Sequence, residues 1–348
     1  MKKHLGLMLS FALVLSLLVS AFALAQTLAD PNFKSDLVLY SSMTDNDLNN
    51  LVRLFTQRYP GIRIEIVNGS AGELTARIRA EKNNPQGDVM WGGLSNSDGM
   101  IYEDLFEHYL SPYEEEIYPA YRSNNGFYNL DHLSTIVFCV NTDLEKELGM
   151  NITGYKDLLD PRLKGRIVLP DPNSSSSGWN HVCNIFAVFG NDSPEAWEFI
   201  EGLMKNGVVI STSSSVAFRS VLSGEYVVGM SYEDGASTLL KAGATNIKLV
   251  YPEEGASASA FGVAVIKGAK NMEAAKLLVD YLMSVEGQSE LGTALGTLRF
   301  TNSKAVYSTP YLPATEEVTW ADRDIEWLIE NKEYVLQRWN DIYMRTRF

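Results

Sequence analysis

Apolar residues along this chain recur with two different periods, and the two periods alternate. Three times in succession, an apolar run is followed by a turn of small polar residues and then by helical apolar spacing. The three runs are Asp36–Tyr40, Ile62–Val67 and Asp88–Trp91. Strands that alternate with helices predict an α/β fold, in which helices cover both faces of a sheet and ligands bind beyond the carboxyl ends of the strands.

The later part of the chain extends the alternation and indicates a second lobe. Thr135–Asn141 is strongly apolar and is the predicted first crossing into that lobe. A return is predicted through Ile247–Tyr251 and Phe261–Ile266. Residues Asp322–Arg345 have the spacing of one long amphipathic helix. We expect this helix to pack on the outside of the lobes.

One stretch combines a strand, a serine-rich turn and a helix. Arg166–Leu169 is typical of a strand, and Pro170 and Pro172 end it. Four serines, Ser174–Ser177, then precede helical apolar spacing up to Phe189. Such a turn presents backbone N–H groups, hydroxyls and the positive end of a helix dipole to one place, so it forms an anion site without lysine or arginine. The alternative is an ordinary capped helix behind a flexible loop.

The N-terminal residues have the pattern of an export signal. Lys2, Lys3 and His4 precede an apolar run, Leu5–Phe22, and Ala23–Ala25 fits a small-x-small cleavage site. A membrane helix is the alternative for a run of this length. No cysteine follows the run, which excludes lipid attachment there. We therefore predict a signal peptide at residues 1–25, cleavage after Ala25 and a soluble periplasmic protein.

Composition and charge narrow the classes of partner. The chain has 348 residues, enough for two lobes, and a formal net charge of −14. An acidic surface argues against nucleic acid and anionic membranes as partners. Cys139 and Cys183 are the two cysteines, and either a disulfide or two buried thiols fits their apolar surroundings. No cofactor or metal is expected, because histidine is scarce and no metal-ligand cluster is apparent. A monomer is expected.

Several motifs, in this order along nearly the whole mature chain, resemble those of one transport family. They are Asp36–Ser42, Ala71–Ile78, Gly87–Gly93, Val140–Asp143, Asp157–Ile167 and Phe261–Asn271. The chain resembles the extracellular solute-binding proteins of ABC transporters, in the branch of the ferric-iron-binding proteins and their sugar-phosphate and aminoalkylphosphonate relatives. The resemblance implies a two-lobed type II periplasmic-binding-protein fold with two crossing hinge strands and a C-terminal helix.

The resemblance also implies a division of the chain and a partner. Residues 26–134 and 255–318 would form lobe 1, residues 135–254 lobe 2, and residues 319–348 the C-terminal helix on the lobes. The lobes would close on a solute, and the closed form would dock on an ABC permease in the inner membrane.

Two classes of solute follow from the resemblance. Ferric-iron members have two adjacent tyrosines after the last strand of the second lobe, whereas this chain has Ser231, Tyr232, Glu233 and Asp234 there. Relatives that bind phosphorylated solutes use serine- and threonine-rich turns for the phosphate and acidic side chains for hydroxyls or an amine. We therefore expect a small anionic solute, most plausibly an organic phosphate or phosphonate, with ferric iron as the alternative.

The candidate ligand-binding residues follow from this comparison and from the turns after the predicted strands. Hydroxyl groups bind a charged acceptor strongly, and the acidic pair could hold a polar end of the solute. Trp91 and Gly92 could form a stacking platform, or Trp91 could be a core residue; the acidic pair could equally be a solvated turn. The set is Ser41, Ser42, Thr44, Ser70, Trp91, Gly92, Ser174, Ser175, Ser176, Ser177, Ser213, Ser214, Tyr232, Glu233 and Asp234.

A hypothesis from another class is a secreted serine hydrolase. Such an enzyme needs an activated nucleophile with a base in hydrogen-bond reach. The sequence has no Gly-x-Ser-x-Gly elbow, and its serines come in runs. A non-catalytic receptor is therefore the favoured interpretation.

Overall fold

The computed structural model describes residues 33–98 and 100–347. The predicted signal peptide lies outside this range. The strands in the described residues are β1 Ser35–Ser41, β2 Ile62–Asn68, β3 Val89–Ser95, β4 Asn129–Asn141, β5 Ile167–Pro170, β6 Val209–Ser211, β7 Val228–Tyr232, β8 Ile247–Val250, β9 Ala258–Val265 and β10 Arg299–Phe300. The α-helices are α1 Asp45–Arg58, α2 Ala71–Ala80, α3 Thr142–Glu147, α4 Ser176–Phe189, α5 Pro194–Lys205, α6 Val216–Leu222, α7 Glu233–Lys241, α8 Met272–Met283, α9 Val285–Leu295 and α10 Ile325–Arg347.

The strands form one continuous hydrogen-bonded path with two halves. Its order is β2-β1-β3-β9-β4-β7-β5-β6, and β8 and β10 also pair with β4. The first half of β4 pairs with β9 up to Thr135, and from Ile136 its neighbour is β7. We call the half with β1–β3, β9 and β10 lobe 1 and the half with β5–β8 lobe 2. The two-lobed α/β fold expected from the sequence is confirmed.

The return from lobe 2 to lobe 1 differs from a single crossing strand. β8 pairs with the second half of β4 and β9 with the first half, and residues 251–257 between them are not a strand. Pro252 has no backbone N–H for a ladder, and Gly255 has a φ of 133°. The two connections between the lobes are therefore one continuous strand, β4, and one interrupted strand.

Each lobe has an apolar core on both faces of its sheet. In lobe 1, Leu37 and Leu39 of β1 pack with α1, α8 and α9, whereas Tyr40 faces the opposite side with α2. The alternation follows from the two-residue period of a strand. In lobe 2, Phe138 packs with α4 and α5, and Val137 packs with α6 and α7. The three-layer arrangement places the turns after the parallel strands along the cleft between the lobes.

The C-terminal helix α10 packs on lobe 2. Leu328, Val335, Trp339 and Ile342 are buried in the core that also contains α4 and α5. Its Lys332 Nζ donates a hydrogen bond of 2.8 Å to Asp98 Oδ1, in the turn after β3 of lobe 1. The helix therefore also reaches lobe 1. None of the described helices is both long enough and apolar enough to cross a membrane.

Candidate ligand-binding site

A cavity of about 340 Å³ lies between the lobes. Residues at the N-terminal ends of α1 and α2 line it from lobe 1, and residues at the N-terminal ends of α4, α6 and α7 line it from lobe 2. Ten of the predicted site residues are in its lining: Ser42, Thr44, Ser70, Ser175, Ser176, Ser177, Ser213, Ser214, Tyr232 and Asp234. The structure therefore brings together residues that are nearly 200 positions apart along the chain.

Two capping boxes shape the lobe 1 side. The Thr44 hydroxyl donates to Asp47 Oδ2 at 2.6 Å, and the Ser70 hydroxyl donates to Glu73 Oε2 at 2.8 Å. Each carboxylate also accepts the backbone N–H of its cap residue, as expected for this motif. These two hydroxyls are thus occupied in starting α1 and α2. The N-terminal ends of both helices remain directed at the cavity.

Gly93 allows lobe 1 to approach the serine turn of lobe 2. Its φ of 75° lies in the left-handed region, which favours glycine. A Cβ at this position would lie 2.5 Å from Ala71 Cβ, 3.1 Å from Ser42 Oγ and 3.3 Å from Ser176 Oγ. The hydroxyls of Ser42 and Ser176 therefore face the same narrow space from opposite lobes.

The serine turn at the start of α4 forms the lobe 2 side. Ser175 is the N-cap residue, and its hydroxyl accepts a hydrogen bond from Gly178 N at 3.4 Å and lies 3.0 Å from Ser177 Oγ. The carbonyl of Ser174 accepts a hydrogen bond of 3.2 Å from Gly72 N in the first turn of α2. This bond joins the backbones of the two lobes directly. The first-turn N–H groups of α4 have no carbonyl acceptor within their own helix, and Ser175, Ser176 and Ser177 at this end line the cavity.

Positive charge in the cavity comes mainly from helix ends. Among the described residues, Arg219 is the one lysine or arginine in the lining, and its guanidinium lies 3.7 Å from the Asp45 carboxylate, across the cleft. A helix N-terminus stabilises a nearby negative charge by about 0.3–1 kcal/mol. Four helices of eight or more residues begin at the cavity: α1, α2, α4 and α7. Together with the hydroxyls, they suit a small anion.

Two buried carboxyl groups meet in the same cavity. Asp47 of α1 and Asp234 of α7 are both buried, line the cavity from opposite lobes and lie close enough for the charge of Asp47 to act on the Asp234 carboxyl group. Burial raises the pKa of Asp47; burial and the Asp47 charge raise the pKa of Asp234 well above its usual range. Burial and the nearby charges of Asp234 and Asp47 also raise the pKa of the Tyr232 phenol. This part of the cavity disfavours additional negative charge.

Five predicted site residues are not in the cavity lining. Ser41 and Trp91 are fully buried: the Ser41 hydroxyl donates to the Trp91 carbonyl at 2.9 Å, and Trp91 Nε1 donates to Asp131 at 3.0 Å. Gly92 has a φ of 89° beside Ser42, and Ser174 lines a neighbouring cavity of about 760 Å³.

Glu233, the fifth, is buried against Arg299. Both its carboxylate oxygens accept hydrogen bonds of 3.0–3.1 Å from Arg299, and one also accepts from the Tyr251 hydroxyl. Arg299 belongs to β10 of lobe 1 and Glu233 to α7 of lobe 2. Glu233 therefore holds the lobes together behind the cavity.

Other lining residues were not among the predicted ones. Asp47 is the third residue of α1 and part of its capping box, and Arg219 lies on the short helix α6. His132 is in the apolar strand β4, with its ring against Trp91 and Phe261 at centroid distances of 6.2 and 6.3 Å. The position of Asp47 directly after a strand and a polar turn was the one usable signal.

Comparisons with known proteins agree with this geometry. Residues 50–319 match the model of the bacterial extracellular solute-binding protein family. The chain is 27% identical to iron uptake protein A1 of Synechocystis sp., over 75% of this chain and 74% of that protein. It is 25% identical to a Salmonella typhi periplasmic protein named for 2-aminoethylphosphonate binding, over 79% and 81%.

The structural comparison supports the same assignment. The periplasmic binding protein AfuA from Actinobacillus pleuropneumoniae, solved with fructose-6-phosphate bound, superposes with a TM-score of 0.79 at 29% identity. The superposition covers 90% of this chain and 99% of AfuA. The fold is that of the type II periplasmic binding proteins.

Proposed function

Since the chain belongs to the bacterial extracellular solute-binding protein family and is a periplasmic solute-binding component of an ABC importer, we propose that its solute is a small organic phosphate or phosphonate. The two lobes enclose this solute, and the closed protein delivers it to an inner-membrane permease. Glu233 and Arg299 act as a hinge contact, and the ligand is held by the residues that line the cavity.

The observation that supports this ligand class is the convergence of helix N-termini from both lobes. α2 approaches from lobe 1 and α4 from lobe 2, whereas the N-terminal ends of α1 and α7 carry Asp47 and Asp234. A phosphate or phosphonate accepts hydrogen bonds on several oxygens, so it can bind first-turn N–H groups and serine hydroxyls of both lobes at once. Such a ligand stabilises the closed form, because the complete set of donors exists only when the lobes meet.

The acidic part of the cavity explains why the ligand should be organic. A second anionic group would be repelled by Asp47 and Asp234, whereas a hydroxyl or an ammonium can donate to them. We therefore place the phosphate at the serine turns and the hydroxylated or aminated part of the ligand at Asp234.

Ferric iron is the second candidate, favoured by the similarity to an iron uptake protein. Fe(III) prefers anionic oxygen ligands such as phenolate. One tyrosine, Tyr232, lines the cavity, and the raised pKa of its phenol opposes ionisation. The organic anion is the better match to these side chains.

The protein is proposed to be a receptor and not a hydrolase. His132 is the histidine in the cavity lining, and its Nδ1 lies 3.1 Å from Asp131 Oδ2. The hydrogen bonds of the described residues include none between His132 and a serine hydroxyl. The arrangement lacks the pairing of base and nucleophile that activates a serine.

The test is a calorimetric and thermal-shift screen of the mature protein with fructose-6-phosphate, 2-aminoethylphosphonate, inorganic phosphate and ferric citrate. A ligand specific to the folded state raises the melting temperature. We expect stabilisation by an organic phosphate or phosphonate. A response to ferric citrate alone, with a tyrosinate absorption band, would instead assign the site to iron.

Two serine caps provide a matched pair of variants. Ser175 caps α4 at the cavity, and Ser193 caps α5 outside it. Ser175→Ala and Ser193→Ala should each lower stability by about 1 kcal/mol, the usual value of an N-cap. Ser175→Ala alone should also weaken the ligand about tenfold or more, because a hydrogen bond to a charged group contributes about 1.5–3 kcal/mol. Equal affinities for the two variants would contradict the proposed site.

A further inference from the structure

The cavity contains one pair of carboxyl groups that come from different lobes and face each other. Asp47 Oδ2 accepts the Thr44 backbone N–H at 3.0 Å and the Thr44 hydroxyl at 2.6 Å. Asp234 Oδ1 accepts the Thr297 hydroxyl at 2.8 Å. Each carboxyl group thus has one oxygen held by neutral donors of lobe 1. Asp47 Oδ1 is buried and accepts no hydrogen bond from the described residues, although the Asp234 carboxyl group lies nearby.

Two ionised carboxylates do not remain in hydrogen-bond contact when both are buried, because like charges at that distance repel and neither is hydrated. A single proton between them removes one charge and gives Asp47 Oδ1 the donor that it lacks. The proton thereby becomes part of the contact between the lobes.

The charged groups around the pair do not replace this proton. Glu233 on α7 is paired with Arg299, and Arg219 on α6 is paired with Asp45. His132 on β4 and Tyr232 at the end of β7 are the other titratable neighbours. The hydrogen bonds of the described residues include none from Arg219, His132 or Tyr232 to either carboxyl group of the pair.

We propose that Asp47 and Asp234 share one proton across the cleft, so that closure of the lobes takes up a proton. The pair also selects the ligand: this end of the cavity accepts a hydroxyl or an ammonium group and disfavours a negative charge. The inference deepens the proposed function and rests on it for the ligand. The proton comes from solvent, stays between two carboxyl oxygens and returns to solvent on opening, with no covalent change.

The direction of the pH dependence follows from linkage. In an open form the two carboxyl groups are separated and hydrated, and both are ionised near neutral pH. The closed form binds one more proton, so closure is favoured as pH falls and is weakened as pH rises through the pKa of the closed pair. A ligand that presents a hydroxyl should bind up to about tenfold more tightly for each unit of pH decrease within this range. A ligand ammonium takes the place of the proton, and its affinity should not show this dependence.

The first arm of the test needs no ligand. Small-angle scattering of the mature protein between pH 5 and pH 8 reports how compact it is. We expect the wild type to become more compact as pH falls and Asp234→Asn to be compact throughout, because the amide supplies a permanent donor to Asp47. Asp280→Asn is the control: Asp280 is also buried with a raised pKa but is bonded to Tyr109, away from the cleft. It should retain the wild-type profile.

The second arm uses fructose-6-phosphate and 2-aminoethylphosphonate as probes in calorimetry at pH 8, in two buffers with different ionisation enthalpies. Uptake of about one proton with the sugar phosphate and near zero with the aminophosphonate would support the shared proton. Zero uptake with the sugar phosphate would overturn it.

The two proposals can fail separately. If neither probe binds, the proposed ligand class is wrong, and the scattering profiles still decide on the pair. A wild-type profile that does not change with pH and matches that of Asp234→Asn would overturn the shared proton whatever the ligand is. If Asp234→Asn does not fold, Asp47→Asn tests the same contact from the other side.

Discussion

Lys332 links α10 to lobe 1 through the ion pair described above, and its removal should open the protein. Its ammonium donates to Asp98 at 2.8 Å and lies 5.2 Å from the centre of the Trp179 ring. The side chains of Lys332 and Asp98 are 21% and 9% exposed. A hydrogen bond between charged groups contributes about 1.5–3 kcal/mol, whereas the Trp179 contact lies within lobe 2 and does not change on closure.

Because Lys332 is partly exposed, solvent screens part of the energy of this hydrogen bond. We therefore expect Lys332→Gln to lose about 2 kcal/mol of the free energy of lobe closure, which corresponds to about a 30-fold change in the closing equilibrium. The bond forms only when the lobes are closed. The ligand dissociation rate should therefore rise by about this factor while the association rate changes little. Stopped-flow displacement of a bound ligand measures both rates.

A second ion pair of the same helix provides the control. Arg345 donates to Glu201 at 2.8 Å, but both residues belong to the lobe 2 side, and their side chains are 64% and 32% exposed. Arg345→Gln should leave the dissociation rate unchanged. The reasoning would be refuted if Lys332→Gln released ligand at the wild-type rate, or if both variants accelerated release equally.

Three further predictions test separate features. Gly72→Ala places a Cβ 2.8 Å from the Ser174 carbonyl oxygen across the cleft, so calorimetry should show weaker ligand binding. The melting temperature should stay the same or rise, because alanine favours a helix. An unchanged affinity would contradict this prediction. Cys139 and Cys183 are free and buried, and burial raises the pKa of the Cys139 thiol to about 12 and that of the Cys183 thiol to about 11. A thiol reagent at pH 8 should therefore modify neither cysteine in the native protein and both cysteines in denaturant. Burial lowers the pKa of His181 to about 3 in the folded protein. The contribution of neutral His181 to the free energy of unfolding is therefore complete above the pKa of histidine in the unfolded chain, about 6.5, and is lost as pH falls towards 3. Urea unfolding of His181→Gln should not show this loss.

The fold was largely predictable because its signals are local. The predicted strand at Asp36–Tyr40 corresponds to β1, and the predicted long C-terminal helix at Asp322–Arg345 corresponds to α10. Each depends on the spacing of apolar residues and on caps within a few positions. The predicted return segments Ile247–Tyr251 and Phe261–Ile266 correspond to β8 and β9, but no local signal shows which half of β4 each one pairs with.

The site was less predictable because adjacent residues have different partners. Glu233 and Asp234 follow the same strand, yet Glu233 binds Arg299 and Asp234 faces the cavity. Successive residues of a helix point about 100° apart, so the start of α7 decides their directions. Arg299 is 66 positions away along the chain, and no local pattern reveals that contact. Thr44 and Asp47 have the sequence spacing of a capping box, but the approach of Asp47 to Asp234 exists only once the lobes meet.

The order of β9 in the chain has a consequence for how the protein forms. β3 pairs with β1 on one side and with β9 on the other, and β9 also covers the first half of β4. Some 160 residues separate β3 from β9, so during synthesis the growing chain has an unpaired edge on β3 until residues 258–265 are made. An unpaired strand edge invites pairing with other chains. Lobe 1 cannot be completed before lobe 2 has been synthesised, and we expect a chain truncated before residue 258 to aggregate and not to yield an isolated folded lobe.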